Sequence, residues 1–316
     1  MRSCEPGRSK RRSVPMAAEV SQTLELERAT AAHLPQIRRF LQQVRRRHVD
    51  FGAEDLPGLV DRAHFWLAQE GERLVGLLCV QVETRPTTLP PTAPTRGYVR
   101  AAAVAHGYSP APLLAALLQR VEGELRAAGN VPAYQLMAYG SAPWLLAGLL
   151  AGDFTQVDSI QFYQLTSLQR RPLPEPPPQV AQLAPAHAEQ MADLAVLDAA
   201  AFEPLWHFSR QDLLELLMRS RLQVALYQGE LAGYSALSSN SEREMQLARL
   251  AVHPRFQGQG IGRQLLWDSI AHARQSGCHV LALNTQTSNR RSQDLYRRSG
   301  FQAVGTAIPV LVRLVR

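Results

Sequence analysis

Two hydrophobic periods take turns along this chain, and the order in which they change occurs twice. Residues 23–28 predict a strand, and a helical spacing follows from Thr30, which can cap it. That helix is expected to end near Arg45, Arg46, Arg47 and His48, a basic group that suits the negative end of a helix dipole and otherwise faces solvent. Residues 65–68 and 74–82 predict a strand pair across a turn at 69–73. Proline and threonine crowd 85–97 into a loop. A strand (98–104), a helix (110–128, with Pro110 in its first turn), a strand (133–138), a helix (143–150) and a strand (160–168) complete the first pass.

Residues 170–179, RRPLPEPPPQ, interrupt the pattern. Five prolines remove backbone donors and stiffen the segment toward polyproline II, so it reads as a spacer. The order then restarts. A strand at 180–183 precedes helices at 185–200 and 209–219, the second capped by Ser209. Residues 222–227 and 231–237 form a hairpin across Gln228, Gly229 and Glu230. Phe154 and Phe301, each inside a matching Phe-x-x-Val segment, lie 147 residues apart, which marks a tandem repeat of one fold.

The second pass carries the stretch that organises the chain, residues 244–305. A β-rich run to Val252 is closed by Pro254, and a glycine-rich turn follows, Gln257-Gly258-Gln259-Gly260-Ile261-Gly262. A helix comes next, with Ile261, Leu265, Leu266, Ile270 and Ala273 on one side. Glycines let backbone N–H groups approach a ligand closely, and a helix start adds unpaired donors and positive dipole. Strand, turn and helix start together make a phosphate cradle. A dinucleotide fingerprint would need its third glycine where Arg263 stands, and a nucleotide-triphosphate loop would need a lysine.

The stretch instead resembles the signature of the GNAT acetyltransferases, [RQ]-x-x-G-x-[GA], carried here by Arg255, Gly258 and Gly260. The resemblance continues through a strand at 280–284, Asn289, Leu295-Tyr296 and Gly300-Phe301, in the family's order. It implies an α/β fold of two tandem GNAT units, each a mixed, mostly antiparallel sheet flanked by helices. The expected division is a basic disordered tail (1–20), a degenerate GNAT-like domain (21–169), the linker (170–179) and a catalytic domain (180–316). The first unit spends nine residues from Val104 to Leu113, where the second spends thirteen from Val252 to Leu265. Leu149 stands at the position of Tyr296 and Ala142 at that of Asn289, so the first unit is expected to be catalytically dead.

The resemblance also implies acetyl-CoA as acyl donor, an amine acceptor and no metal. Leu250, Ala251 and Val252 would pair with the pantetheine arm, and Gln257, Gly258, Gln259, Gly260, Ile261 and Gly262 would cradle the pyrophosphate. Arg255 and Arg263 would neutralise phosphates, and Asn289 would contact the cofactor, cap a helix, or both. Tyr296 is the expected acid toward the leaving thiolate. Glu244, fourteen residues before Gly258, matches the base of the histone-acetylating branch; otherwise it is an exposed strand-start glutamate. The ribosomal-protein N-terminal acetyltransferases place their glutamate where Asn284 stands, which puts their mechanism in doubt here. His253 reads as a loop residue. The group from Phe202 to His207 either lines the acceptor pocket or packs the domain.

Composition narrows the picture further. A chain of 316 residues, 46% hydrophobic, is ample for two domains, and no run of about eighteen apolar residues predicts a membrane span. Three scattered cysteines suggest neither a disulfide framework nor a metal site, which fits a cytoplasmic protein. Of the net charge of +7, the first twenty residues hold +3 (Arg2, Arg8, Lys10, Arg11 and Arg12 against Glu5 and Glu19). That tail reads as disordered, or as untranslated with Met16 the start, rather than as a nucleic-acid arm. The expected activity is N-acetyl transfer to a primary amine of a small molecule or protein N-terminus. The alternative is a non-catalytic acyl-CoA-binding regulator or scaffold. Acceptor and oligomeric state stay open.

Overall fold

The computed structural model describes residues 24–83, 92–129, 131–173 and 175–316, so the basic segment 1–20 and most of the proline-threonine loop lie outside the described residues. The first half runs β1 (Glu25–Arg28), α1 (Leu34–Gln43), β2 (Arg46–Val49), α2 (Leu56–Arg62), β3 (His64–Glu70), β4 (Arg73–Val82), β5 (Thr95–Val104), α3 (Pro110–Ala128), β6 (Tyr134–Tyr139), α4 (Pro143–Ala151) and β7 (Thr155–Leu165). The second half repeats it without the β2 counterpart: β8 (Gln182–Pro185), α5 (Met191–Ala201), α6 (Arg210–Arg219), β9 (Ser220–Tyr227), β10 (Glu230–Ser241), β11 (Glu244–Val252), α7 (Ile261–Gln275), β12 (Val280–Gln286), α8 (Arg290–Arg298) and β13 (Gln302–Val315).

All these strands join one sheet, in the order β1-β3-β4-β5-β6-β13-β7-β12-β11-β10-β9-β8, with β2 beside β5. Only β5–β6 and β11–β12 are parallel; the other pairs among the described residues are antiparallel. The order reads nearly the same from either end, with one exchange at its centre. The first half's last strand, β7, lies against β12, and the second half's last strand, β13, lies against β6.

Local chemistry explains most of the elements. Leu113, Leu114, Leu117, Leu118, Val121 and Leu125 put a buried stripe on α3 that packs over β4 and β5. Ser209 and Asp212 close a capping box at the start of α6. Gln228 and Gly229, both at positive φ, make the tight turn between β9 and β10. Helices cover both faces of each half, giving separate apolar clusters on the two sides.

Two expectations for the first half are corrected. The Arg45–His48 group does not end a helix: α1 stops at Gln43, and Arg46–Val49 pairs antiparallel with β5. Pairing with β5 satisfies that backbone along the ladder, so tertiary contact decides the conformation. Helix α2 was not expected at all, because Pro57 and Gly58 mask it; proline at the first turn is tolerated, and Leu56, Leu59 and Val60 bury its face.

Candidate cofactor cleft

Strands β11 and β12 pair only from Glu244 to Leu247 against Val280 to Leu283, and then part. Ala248 causes a bulge: Ala236 of β10 opposes Arg249, while Leu237 opposes Leu247. Beyond the bulge the edge of β11 facing β12 carries no ladder partner, so its N–H and C=O groups, apart from the Val252 carbonyl that Gln257 occupies, are open to a ligand. A cleft of about 950 Å³ occupies the gap. Leu250, Ala251 and Val252 form one wall.

The glycine turn forms the next wall. Gly258 and Gly260 sit at φ +88° and +87°, the left-handed region where a side chain is strained, and a Cβ on Gly258 would meet nothing within 4 Å. Gly260 caps α7 without a side-chain hydrogen bond, and the first intrahelical bond runs from the Gln264 N–H to the Gly260 carbonyl. The amides of Ile261, Gly262 and Arg263 are therefore orphan donors at the dipole's positive end, and all three residues line the cleft. Gln257 donates to the Val252 carbonyl (3.0 Å), which ties turn to strand, and accepts from Arg291.

Helix α8 closes the far side. Asn289 lines the cleft and also caps α8, its Oδ1 accepting from the Ser292 amide at 3.1 Å. Arg291, Leu295 and Arg298 recur at helical spacing and face the cleft together, so with Arg263 three guanidiniums border it. Sequence reasoning passed over Arg291 and Arg298, although their spacing was a usable signal.

The expected site residues are only partly brought together. Leu250, Ala251, Val252, Gln257, Gly258, Gly260, Ile261, Gly262, Arg263 and Asn289 line the cleft; Gln259 and Arg255 do not. Arg255 is exposed and pairs with Glu230 (2.8 Å). Tyr296 is buried between Tyr163 and Phe301, with ring centroids 6.2 and 6.0 Å away, and sits behind the lining rather than in it. Burial pushes its phenol up to about 12, against a hydrogen bond with Ser292, which does line the cleft. Glu244 opens β11 where the strands are still paired, takes a bond from Asn240 (3.3 Å), and is not in the lining. Asn284 is exposed on β12. His253 accepts from the Arg255 amide at 3.2 Å, a local turn contact.

The Phe202–His207 group both packs the domain and lines the same cleft as the glycine turn. Phe202, Glu203 and Trp206 line the cleft, Leu205 and Trp206 also pack on Met137, Val310 and Val312, and His207 is buried with Nε2 2.8 Å from the Phe202 carbonyl. Beneath lies a network the sequence reading missed. Arg249 donates to Asp198 (2.9 and 2.7 Å) and to the Trp206 carbonyl (2.6 Å), sandwiched between Phe202 and Phe208 at 3.7 and 4.0 Å. Tyr234 donates to the same carboxylate, which is fully buried. Removing one partner of such a pair costs about 3–5 kcal/mol, because the other charge is stranded. That cost fixes the loop's position. The available signal was a lone arginine in an apolar strand and an aspartate, Asp198, among the apolar residues of a helix's second half.

The profile of the acetyltransferase (GNAT) family matches residues 191–301. The uncharacterized N-acetyltransferase YhfO of Bacillus subtilis is 32% identical over 125 residues, 33% of this chain and 84% of that protein. An uncharacterized N-acetyltransferase of Mycobacterium bovis is 28% identical over 88 residues, 28% of this chain, and the chain spans only 56% of that protein's length. Among solved structures, a tandem GNAT protein from the clavulanic acid biosynthesis pathway aligns over 93% of this chain and 99% of its own, with a TM-score of 0.63. At 15% identity that match speaks for the fold alone. A splayed strand pair, a glycine turn opening a helix and relatives of this kind lead to one conclusion: the chain belongs to the GNAT acetyltransferase family.

Proposed function

We propose that the second half, residues 180–316, is an N-acetyltransferase that passes the acetyl group of acetyl-CoA directly to a primary amine of a small molecule or protein N-terminus. The first half, 21–169, is its degenerate partner, joined through the linker 170–179. The observation that carries this reading is the cleft between β11 and β12, where an unpaired strand edge meets three orphan N–H groups.

The residues present fit such a donor. The amides of Ile261, Gly262 and Arg263 would hold the pyrophosphate, with Arg263, Arg291 and Arg298 supplying charge. The open N–H and C=O of Leu250 and the N–H of Val252 would take the pantetheine arm as an added strand. Acetyl-CoA supplies an acetyl group already activated as a thioester. Tyr296, kept protonated by burial, would hold a proton at Oη for the departing thiolate, relayed past Ser292. Glu244 would take the proton that the incoming ammonium must lose, through water, since it lies outside the lining.

The first half lacks the corresponding parts. Pro110 and Pro112 occupy the first turn of α3 and remove two of the donors that α7 offers. Leu149 is buried where Tyr296 would be, and Ala142 caps α4 without a side-chain bond.

The position of Glu244 favours, as second reading, a non-catalytic acyl-CoA-binding regulator. Mass spectrometry of the purified chain for bound CoA, followed by thiol release from acetyl-CoA with a panel of amines, separates the two. Acetylated amine supports the enzyme; CoA binding without turnover of any amine supports the regulator; no CoA binding sinks both.

A further inference from the structure

We propose that Arg96, a residue of the first half, is a positioning residue that fixes the 202–207 loop of the second half, and with it the part of the cleft wall formed by Phe202, Glu203 and Trp206. The inference rests on the cleft being the acetyl-CoA site, as proposed above.

Arg96 stands on β5 and is 4% exposed. One of its terminal nitrogens donates to the carbonyls of Leu205 (3.1 Å) and His207 (2.7 Å), with that of Pro204 at 3.5 Å. The other meets the Glu83 carboxylate at 2.7 Å. From the opposite side Arg249 donates to the remaining carbonyl, that of Trp206, at 2.6 Å. Four successive carbonyls thus face two guanidiniums, one from each half of the chain.

The loop needs such support. Its only regular element is a 3-10 turn, Pro204–Trp206, with one internal bond from the Trp206 amide to the Glu203 carbonyl (2.8 Å). A piece that short does not hold itself. Buried carbonyls also demand donors, and a rigid planar fork meets several with little loss of freedom. The Arg96 Nε–H is buried without a partner, so the guanidinium is set for the loop and Glu83 rather than for its own full hydrogen bonding. The loop in turn presents Phe202, Glu203 and Trp206 to the cleft. By this account the first half shapes the cleft wall without binding a cofactor of its own.

The test uses the full chain. Arg96→Ala strands Glu83, so a double variant, Arg96→Met with Glu83→Gln, removes both charges together and keeps the result readable if the single variant unfolds. Hydrogen exchange by mass spectrometry follows the amides of Trp206 and Phe208, both bonded in this structure. Loss of one charge-assisted bond predicts exchange about tenfold faster there, with the rest of the chain unchanged. 5-Fluorotryptophan gives a spectroscopic signature, because the chain has four tryptophans and only Trp206 lies in the loop. Its resonance alone should shift or broaden, and Arg96→Lys should fall between parent and double variant. Unchanged loop amides and an unmoved Trp206 signal overturn the proposal. So does exchange that rises evenly over the whole chain, which would leave Arg96 a fold residue only. CoA affinity, titrated separately, should stay within about twofold, since none of the phosphate-side donors is touched. Loss of CoA binding in every protein, parent included, would overturn the proposed function and leave the loop result standing.

Discussion

Gly262 offers the cleanest perturbation of the cofactor cleft. It is the second residue of α7, one of the three whose amides have no helical acceptor. A Cβ built there would lie 3.6 Å from Val252 and 3.8 Å from Leu295, ordinary contacts that require no movement. Its φ is not positive, unlike that of Gly260 at +87°, where any side chain would strain the backbone and blur the result. Gly262→Ala should therefore leave the fold intact, and Gly262→Val, whose helix propensity exceeds that of glycine by a few tenths of a kcal/mol, is read where its thermal melt shows it folded. The added methyl groups take up space at a residue that lines the cleft beside the orphan amides. If they displace one charge-assisted hydrogen bond, at about 1.5–3 kcal/mol, the CoA dissociation constant rises about ten- to hundredfold. Gly262→Ala should fall between. Calorimetric titration with CoA, paired with thermal melts, reads both quantities. Stability unchanged or raised while affinity falls is the expected outcome. An unchanged dissociation constant in a folded Gly262→Val protein refutes the cradle.

Other consequences follow from the same structure. Tyr296→Phe keeps the ring between Tyr163 and Phe301 but removes the proton, so turnover should fall by about a hundredfold or more with CoA affinity unmoved. Full activity would remove Tyr296 from the mechanism. Glu244→Gln should slow turnover most near neutral pH and least where the amine is already deprotonated; an equal loss at every pH would mean that it only shapes the strand. Burial pushes Tyr139 and Tyr296 up to about 12, so they stay protonated where unfolded tyrosines ionise near pH 10. The folded chain then holds more protons than the unfolded one, and urea midpoints should fall as pH rises from about 10 toward 12. Residues 180–316 expressed alone should aggregate or pair with a second copy, and adding residues 24–170 should recover a soluble complex; a stable isolated monomer would contradict the sheet order.

The cleft was legible because its signals are local. Gly258 and Gly260 need positive φ, α7 shows its period, and Asn289 stands where a cap belongs. The hairpin at Gln228-Gly229 and the Ser209 cap were readable for the same reason. What escaped depends on distant partners. Arg96, Asp198 and Arg249 look like ordinary charges until the fold buries them against one another's loops. Strand β2 has a single apolar side chain of its own, Val49, and becomes a strand only beside β5. Leu295 and Tyr296 are neighbours in sequence, yet one lines the cleft and the other packs behind it. A one-residue step turns a helical side chain by about 100°, so the motif places the pair and packing decides which one faces the ligand.

The exchange at the centre of the sheet explains why the first half is not dispensable to the cleft. β12 forms one arm of the splay that opens the cleft, and an arm holds its angle only if its other edge is paired. That edge is taken by β7, over Leu281 to Gln286 against Leu165 to Ile160. β7 also supplies Asp158, which accepts from the hydroxyls of Thr287 (2.9 Å) and Ser288 (2.5 Å) and so anchors the turn that leads into Asn289. Burial alone would raise that carboxyl's pKa, but bonds from Ser288, Thr287 and the Ser159 amide outweigh it and hold it below the usual range. The carboxylate therefore stays charged at neutral pH and the anchor stays engaged. In return β13 covers β6, which would otherwise be an open edge in the first half. Neither half can lose the other without exposing a strand edge. β7 and Asp158, with Arg96 as proposed above, are what the first half contributes to the cleft.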